Sequence, residues 1–351
     1  MLGALPWATP AGSGKTRFMS DSPKLPDRPA RVCVVILNWR RNDLLGRCLS
    51  RIAEQRTRSQ LHLVVFENES CELDRAEIVE QLTAFLERKD NPIDSVSLLA
   101  SDANLGFAAG MNRAVEFAQE QFEPAYYWLL NNDAEPEPVA LDALLEKAEA
   151  QPRWGIIGSR ILGEPLAGGK PLFGGYRYFP WSTRLRPCLQ AAEQPDYVAG
   201  AAMFVRAQVF RKVGLLSEEF FLFGEELDFA HRAADRGWDC GCAPDSLVWH
   251  HSGQSVAARS PWPGRTADWT REYFENRSAF LLAWRNHRGR FPVSAMVRVG
   301  AKAVLALMGQ SRFGAVWAAL RSFRRPLPAP LQSAQENARV WLVLHESSGN
   351  G

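Results

Sequence analysis

Apolar positions in the first ordered third of the chain follow two alternating repeats. Residues 32–37 (Val-Cys-Val-Val-Ile-Leu) form an unbroken, largely β-branched run, the mark of a strand buried on both faces. Asn38-Trp39 ends it. Leu44, Leu45, Cys48, Leu49 and Ile52 then fall on one face of a helix. The pattern recurs. Residues 61–66 read as a strand closing in Glu67-Asn68-Glu69-Ser70, 74–88 as a helix, and 96–99 as a third strand. A glycine-bearing loop from Asn104 enters a helix running to about Gln119, and 126–130 read as a fourth strand closing in Asn131-Asn132-Asp133. Strands alternating with helices predict a doubly wound, mostly parallel α/β sheet.

Ligands in such sheets bind beyond the strand ends, where Asn38, Glu67, Asp102 and Asp133 stand. Each residue also suits a turn; four in succession point to a ligand. The loop Asn104-Leu105-Gly106-Phe107-Ala108-Ala109-Gly110-Met111-Asn112 opens a helix whose first N–H groups can face a phosphate or sugar. It is not the dinucleotide GxGxxG, which disfavours a nicotinamide enzyme. Further on, 220–232 read Phe-Phe-Leu-Phe-Gly-Glu-Glu-Leu-Asp-Phe-Ala-His-Arg. Two carboxylates, Glu225 and Glu226, against an aromatic wall suit a general base. They equally suit a helix start, where acids complement the dipole.

Composition narrows this reading. At 351 residues, 46% hydrophobic and 23% charged, the chain is an ordinary globular protein. The net charge of +2 calls for no nucleic acid. Its distribution is uneven. No acid lies between Glu275 and Glu336, while Arg277, Arg285, Arg288, Arg290, Arg298, Lys302, Arg312, Arg321, Arg324 and Arg325 do. That asymmetry points to an anionic membrane surface. Lys302 and Arg312 interrupt the apolar segment 293–323 well below the roughly 20 residues needed to span a bilayer. It is expected to lie on a membrane or to pack on the core.

The six cysteines are scattered and read as structural thiols in a reducing compartment. The first thirty residues lack a signal-peptide apolar stretch and read as a flexible arm, with Met19 as an alternative start. Ala11-Gly12-Ser13-Gly14-Lys15-Thr16 resembles a P-loop ending, but Thr9 stands where that loop needs glycine. Residues 151–194, rich in Gly, Pro and aromatics, read as an irregular acceptor loop or as packing.

Taken together, Val-Val-Ile-Leu-Asn-Trp, Asn-Leu-Gly-Phe-Ala-Ala-Gly-Met-Asn, Leu-Leu-Asn-Asn-Asp-Ala, Val-Ala-Gly-Ala-Ala-Met-Phe-Val-Arg, Phe-Phe-Leu-Phe-Gly-Glu-Glu-Leu-Asp and His250-x-x-Gly253-x-Ser255 resemble, in order, the inverting family-2 glycosyltransferases. The likeness runs from about Val32 to Arg285 and is to the rhamnosyltransferase-like branch, whose pattern Tyr273-Phe274-Glu275-Asn276-Arg277 also resembles.

The resemblance implies a GT-A fold and a nucleotide-diphosphate sugar donor. It makes Asp133 the metal ligand of an Asp-x-Asp-like motif, with Asn131 in place of the first carboxylate. His250 matches the late histidine that helps hold a divalent cation, Mg²⁺ or Mn²⁺, and the diphosphate. Glu67 stands against the nucleotide base; Asn38, Asp102, Asn104, Gly106, Asn112 and Asn131 complete the donor side. Glu226 stands where an Asp base is usual, with Asp228 in reserve. Arg40 replaces a common Asn and bears on donor choice. His231 and His251 read as structural. The implied acceptor is a glycan or lipid-linked hydroxyl, reached from the cytoplasmic face of a membrane. Transfer of a galactofuranosyl or hexosyl unit, or silent carbohydrate binding, are the alternatives. The expected layout is an arm (1–30), a catalytic domain (31–257), a basic helical membrane-proximal extension (258–325) and a tail (326–351).

Overall fold

The computed structural model describes residues 29–163, 168, 170–250, 260, 262 and 264–347. The P-loop-like stretch 11–16, Met19, His251, Gly253 and Ser255 lie outside the described residues.

The elements are β1 (Arg31–Asn38), α1 (Asn42–Ile52), β2 (Gln60–Asn68), α2 (Glu72–Leu86), β3 (Ile93–Ser101), α3 (Phe107–Phe122), β4 (Tyr126–Asn131), β5 (Ala134–Pro136), α4 (Ala140–Ala150) and β6 (Trp154–Leu162). After them come β7 (Leu172–Phe173), β8 (Gly175–Phe179), β9 (Arg184–Pro187), β10 (Tyr197–Val198), β11 (Ala202–Arg206), α5 (Ala207–Val213), α6 (Glu225–Ala234) and β12 (Asp239–His250). The chain ends in α7 (Ala267–Asn286), α8 (Phe291–Leu307), α9 (Phe313–Ser322), α10 (Ala329–Asn337) and β13 (Val340–Ser347).

The main sheet runs β13-β3-β2-β1-β4-β11-β6-β12-β5, with β7 beside β6. Strands β3, β2, β1 and β4 are parallel, as their apolar runs predict. Beyond them the sheet is mixed, because β11 inserts antiparallel between β4 and β6. Side chains of β1 alternate between two cores. Cys33 and Val35 face the core built with α3; Val32, Val34 and Ile36 face the one built with α1, α2 and α4. All five are fully buried, which explains why no polar residue stands between Arg31 and Asn38 in this strand.

Two segments gain structure that their sequence did not announce. Within 151–194, β8 and β9 form a hairpin that β10 extends to a three-stranded antiparallel sheet. In the expected tail, β13 pairs antiparallel with β3 and covers the sheet edge. The extension helices pack inward. Phe221 stacks on Phe274 of α7 at 5.0 Å, and Ser278 donates to the Leu222 carbonyl at 3.2 Å. The buried Arg277 donates to the carbonyls of Glu219, at 2.7 Å, and Arg325, at 3.0 Å. Helix α7 therefore braces the aromatic segment that leads into α6.

Candidate active site

Strand β1 lies between β2 and β4, so the order reverses there and opens a crevice at the strand ends. Asn38, wholly buried, closes β1. Its Oδ1 accepts from Asn132 Nδ2 at 2.6 Å, and its Nδ2 donates to Glu67 Oε2 at 2.5 Å and Asn42 Oδ1 at 2.9 Å. The side chain is thus occupied by neighbours and sets the relative position of the β1, β2 and β4 ends. Glu67 is buried too, and its Oε1 has no partner. Burial pushes its carboxyl up to about 8; bonds from Asn38 and the Arg40 backbone act against that rise. Above it, Glu69 pairs with Arg40 at 2.8 Å and accepts from Trp39 Nε1 at 2.9 Å. Arg40 and Glu69 both hold positive φ, 54° and 82°.

The turn after β4 carries Asp133. Strand β12 runs antiparallel to β5, pairing His250 with Ala134. That register sets His250 Nε2 3.2 Å from Asp133 Oδ1 and 3.3 Å from Asn131 Nδ2. One carboxylate oxygen and one imidazole nitrogen suit Mg²⁺ or Mn²⁺ when diphosphate oxygens supply the other ligands. Among the described residues no cluster of three or more His, Cys, Asp or Glu side chains is arranged for a metal.

The loop before α3 is held by Asn68, which the sequence reading left unassigned. Asn68 Oδ1 accepts from Leu105 N at 2.8 Å, and its Nδ2 donates to Asn104 Oδ1 at 3.2 Å and the Gly106 carbonyl at 3.1 Å. Asn104 Oδ1 also caps Gly106 N at 2.8 Å. Gly106 takes φ +84°, and a Cβ there would meet the Phe221 carbonyl at 2.6 Å. Phe107 N donates to the same carbonyl at 2.8 Å. Two motifs more than a hundred residues apart are thus docked backbone to backbone.

Asn112 and Asp102 stand apart from this crevice. Asn112 is buried, exchanging bonds with Leu216 N and O at 3.0 and 2.9 Å. Asp102 is exposed, and its carboxylate accepts from Arg339 N at 2.9 Å, where β13 begins. Gln335 of α10 donates to the Leu105 carbonyl, so the C-terminal segment touches the loop before α3.

Gly224, with φ +88°, turns the chain into α6 and delivers Glu225 and Glu226 to its first turn. Glu225 is 2% exposed and its Oε2 has no partner. Burial, then the charge of Glu226, hold its carboxyl well above the usual range. Glu226 is half-buried. Burial raises it as well, while backbone bonds from its own residue, Gly224 and Gly200 pull it down. The adjacent Glu225 carboxyl acts on Glu226 in the opposite sense, holding it down. A Cβ at Gly200 would collide with Glu226 Oε1. The neighbouring Ala201 carbonyl accepts from Asn131 N at 3.1 Å. The turn at residues 199–201 therefore links Glu226 to the Asn131–Asp133 turn.

Asp228 is engaged elsewhere. Arg232 Nε donates to its Oδ2 at 2.8 Å and Arg285 Nη1 to its Oδ1 at 3.3 Å. His231 is a packing residue. Its Nδ1 lies 2.7 Å from Asn286 Nδ2, and burial lowers its pKa.

A sequence profile described as "Glycosyltransferase like family 2" matches residues 29–265, which span all these features up to His250. The chain belongs to this family. An N-acetylglucosaminyl-diphospho-decaprenol L-rhamnosyltransferase of Mycobacterium tuberculosis is 30% identical over 186 residues, covering 46% of this chain and 61% of that protein. The low-salt glycan biosynthesis hexosyltransferase Agl10 of Haloferax volcanii is 27% identical over 147 residues, covering 40% and 47%. The chain thus matches about three fifths or less of the length of these relatives. Among solved structures, GalNAc-T7 with UDP, GalNAc and Mn²⁺ superposes with a TM-score of 0.50 at 14% identity, over 72% of this chain and 51% of that one. The sheet with flanking helices is the GT-A fold. In this family member, Glu226 stands across the 199–201 turn from the ends of β1 and β4.

Proposed function

We propose that the chain transfers a rhamnosyl-like sugar, with inversion, from a nucleotide-diphosphate donor to a lipid-linked glycan hydroxyl in cell-envelope polysaccharide assembly. The observation that carries this reading is the 199–201 turn, which abuts Glu226 on one side and Asn131 on the other. The rhamnosyltransferase relative, named for an N-acetylglucosaminyl-diphospho-decaprenol acceptor, supports the choice of sugar and acceptor.

Glu226 accepts the acceptor proton as the hydroxyl attacks the anomeric carbon. Glu225 lies beside it in the first turn of α6, and backbone bonds from Gly224 and Gly200 reach its carboxylate. Those bonds favour the ionised carboxylate, while burial keeps it basic. Attack opposite the leaving diphosphate inverts the anomeric centre. Asp133 and His250 would hold a divalent cation, which when bound neutralises charge on the departing diphosphate. Asn38 and Asn132 keep the Asp133 turn in register with Glu67, which faces the nucleotide base. The enzyme works at the cytoplasmic surface of an anionic membrane, with the 258–325 extension toward the bilayer.

The test is turnover of a panel of nucleotide sugars with a prenyl-diphosphate-linked N-acetylglucosamine acceptor, with and without Mn²⁺. Product from a nucleotide-diphosphate rhamnose donor is the expected result. Product from a hexose donor alone would favour the Agl10-like reading. No nucleotide release from any donor would favour a silent binding module.

A further inference from the structure

Helix α8 is amphipathic in reverse. Its exposed stripe carries Val293, Met296, Val297, Val304, Leu307 and Met308, with Gly300 and Ala301 between them. Met296 is 68% exposed and Leu307 91%. The helix's two charged residues point inward. Arg298 donates to Asn276 Oδ1 at 2.7 Å and Thr183 Oγ1 at 3.0 Å, and Lys302 pairs with Glu272 at 2.6 Å. Water normally faces the charged side of a surface helix; here the charges face protein and the apolar stripe is bare.

Two neighbouring elements also carry exposed apolar side chains. The β8–β9 hairpin is fastened to α8 through Thr183 and presents Phe179, Trp181 and Leu185 outward, with Arg290 4.8 Å above the Trp181 ring. Past the tip of α8, Phe313 and Trp317 of α9 are exposed, with Arg321 4.9 Å above Trp317. Of the ten cations in this region, Arg277, Arg285, Arg298 and Lys302 bind protein groups. Arg288, Arg290, Arg321, Arg324 and Arg325 are exposed, as is Arg312, which lies 3.6 Å from Asp268.

We infer that α8 lies in the plane of an anionic bilayer with its apolar stripe among the acyl chains, and that the hairpin carrying Trp181 is a second contact on the same surface. A 17-residue helix runs about 26 Å along that plane. No helix among the described residues is long and apolar enough to cross a membrane, so the stripe meets lipid from one side. The outward arginines meet acidic headgroups, and Trp181 and Trp317 take the depth that aromatic rings favour. Charge selects this occupant, because an apolar stripe rimmed by cations complements an anionic lipid surface. A second copy would set like charges against each other. The inference rests on the reading of the chain as an enzyme at a membrane, and it moves the main attachment from charge to apolar insertion.

The test uses the full chain with vesicles of phosphatidylcholine alone or mixed with phosphatidylglycerol. Wild type should cosediment with the mixed vesicles and keep a residual fraction bound at high salt. The double variant Met296→Glu/Leu307→Glu changes only exposed positions and should keep its melting temperature, yet partition at least about tenfold less at low salt. Trp181→Ala should give a smaller loss of the same sign. Double-variant binding equal to wild type would overturn the inference. So would wild type that ignores vesicles but dimerises, with the double variant monomeric. Nucleotide release from donor in vesicle-free solution reads catalysis separately. If it is absent while vesicle binding persists, the enzymatic reading falls and the docking face stands.

Discussion

His250 Nε2 lies 3.2 Å from Asp133 Oδ1, although 117 residues separate the two in sequence. The antiparallel pairing of β12 with β5 creates this contact. In the proposed reading these two side chains hold a cation, and because two ligands are too few for a tight site, donor diphosphate would complete it. In a thermal-shift assay, Mn²⁺ should therefore stabilise wild type strongly only when donor is present, by about 2.7 kcal/mol at a hundredfold excess over Kd. Asp133→Ala should lose that coupling and His250→Ala should weaken it; chelation should return wild type to its donor-only melting temperature. Full metal-stimulated turnover by Asp133→Ala would reject the assignment.

Asn38 joins three strand ends without meeting solvent. Asn38→Ala leaves Asn132 and Glu67 short of buried partners and should cost about 1–3 kcal/mol per stranded group. Chemical denaturation measures the loss. Donor affinity should fall further than the stability change alone explains, because the Asp133 turn loses its register. Unchanged donor affinity in the folded variant would count against a positioning role.

The raised carboxyls set a direction for stability against pH. Glu67 titrates near 8 in the folded protein and near 4.5 when exposed, so between these values the folded state holds the extra proton. Its contribution is fully present below 4.5 and is lost as pH rises toward 8. Glu225 and Glu226 act with the same sign. Melting temperature should decline across this window, and Glu67→Gln should flatten the decline. An unchanged slope in that variant would show that Glu67 is already ionised in the fold.

Asp228 separates structure from chemistry. Bound by Arg232 and Arg285, it should act through stability. Asp228→Asn weakens a buried ion network, a change of up to about 3–5 kcal/mol when a partner is lost entirely. Thermal unfolding should register it, with kcat of the folded fraction close to wild type.

The parallel half of the sheet was legible because β1 to β4 are largely buried on both faces, and burial leaves mostly apolar runs, unbroken in β1. Asp133, His250 and Glu226 were singled out by strand-end and helix-start chemistry together with the family resemblance, and the fold brings the first two within 3.2 Å of each other. Asn68 was not, since its role is set by a loop 36 residues away. Asp102 looked like the other strand-end acids, yet its partner is the backbone of Arg339, and nothing local announces that pairing. Strand β13 was missed for the same reason: its apolar run near the terminus pairs with β3, more than two hundred residues earlier. The basic segment misled in a different way. A count of cations does not reveal that Arg298 and Lys302 face inward, because that depends on where Thr183 and Glu272 lie.

Glycine at position 200 should be needed for chemistry more than for folding. A methyl group there displaces the Glu226 carboxylate, the nearest atom it meets. Gly200→Ala should lower kcat with donor affinity retained, read by steady-state kinetics with saturating donor. Loss of donor binding with normal kcat would show that the turn serves the donor side alone.

The central claim is that Glu226 takes the acceptor proton, and turnover of Glu226→Gln at saturating donor and acceptor tests it most directly. The amide keeps the shape and removes the base. The substitution should lower kcat by about 10²–10⁴, with donor affinity nearly unchanged. A Glu226→Gln enzyme nearly as active as wild type, beside a folded but inactive Asp228→Asn, would contradict it.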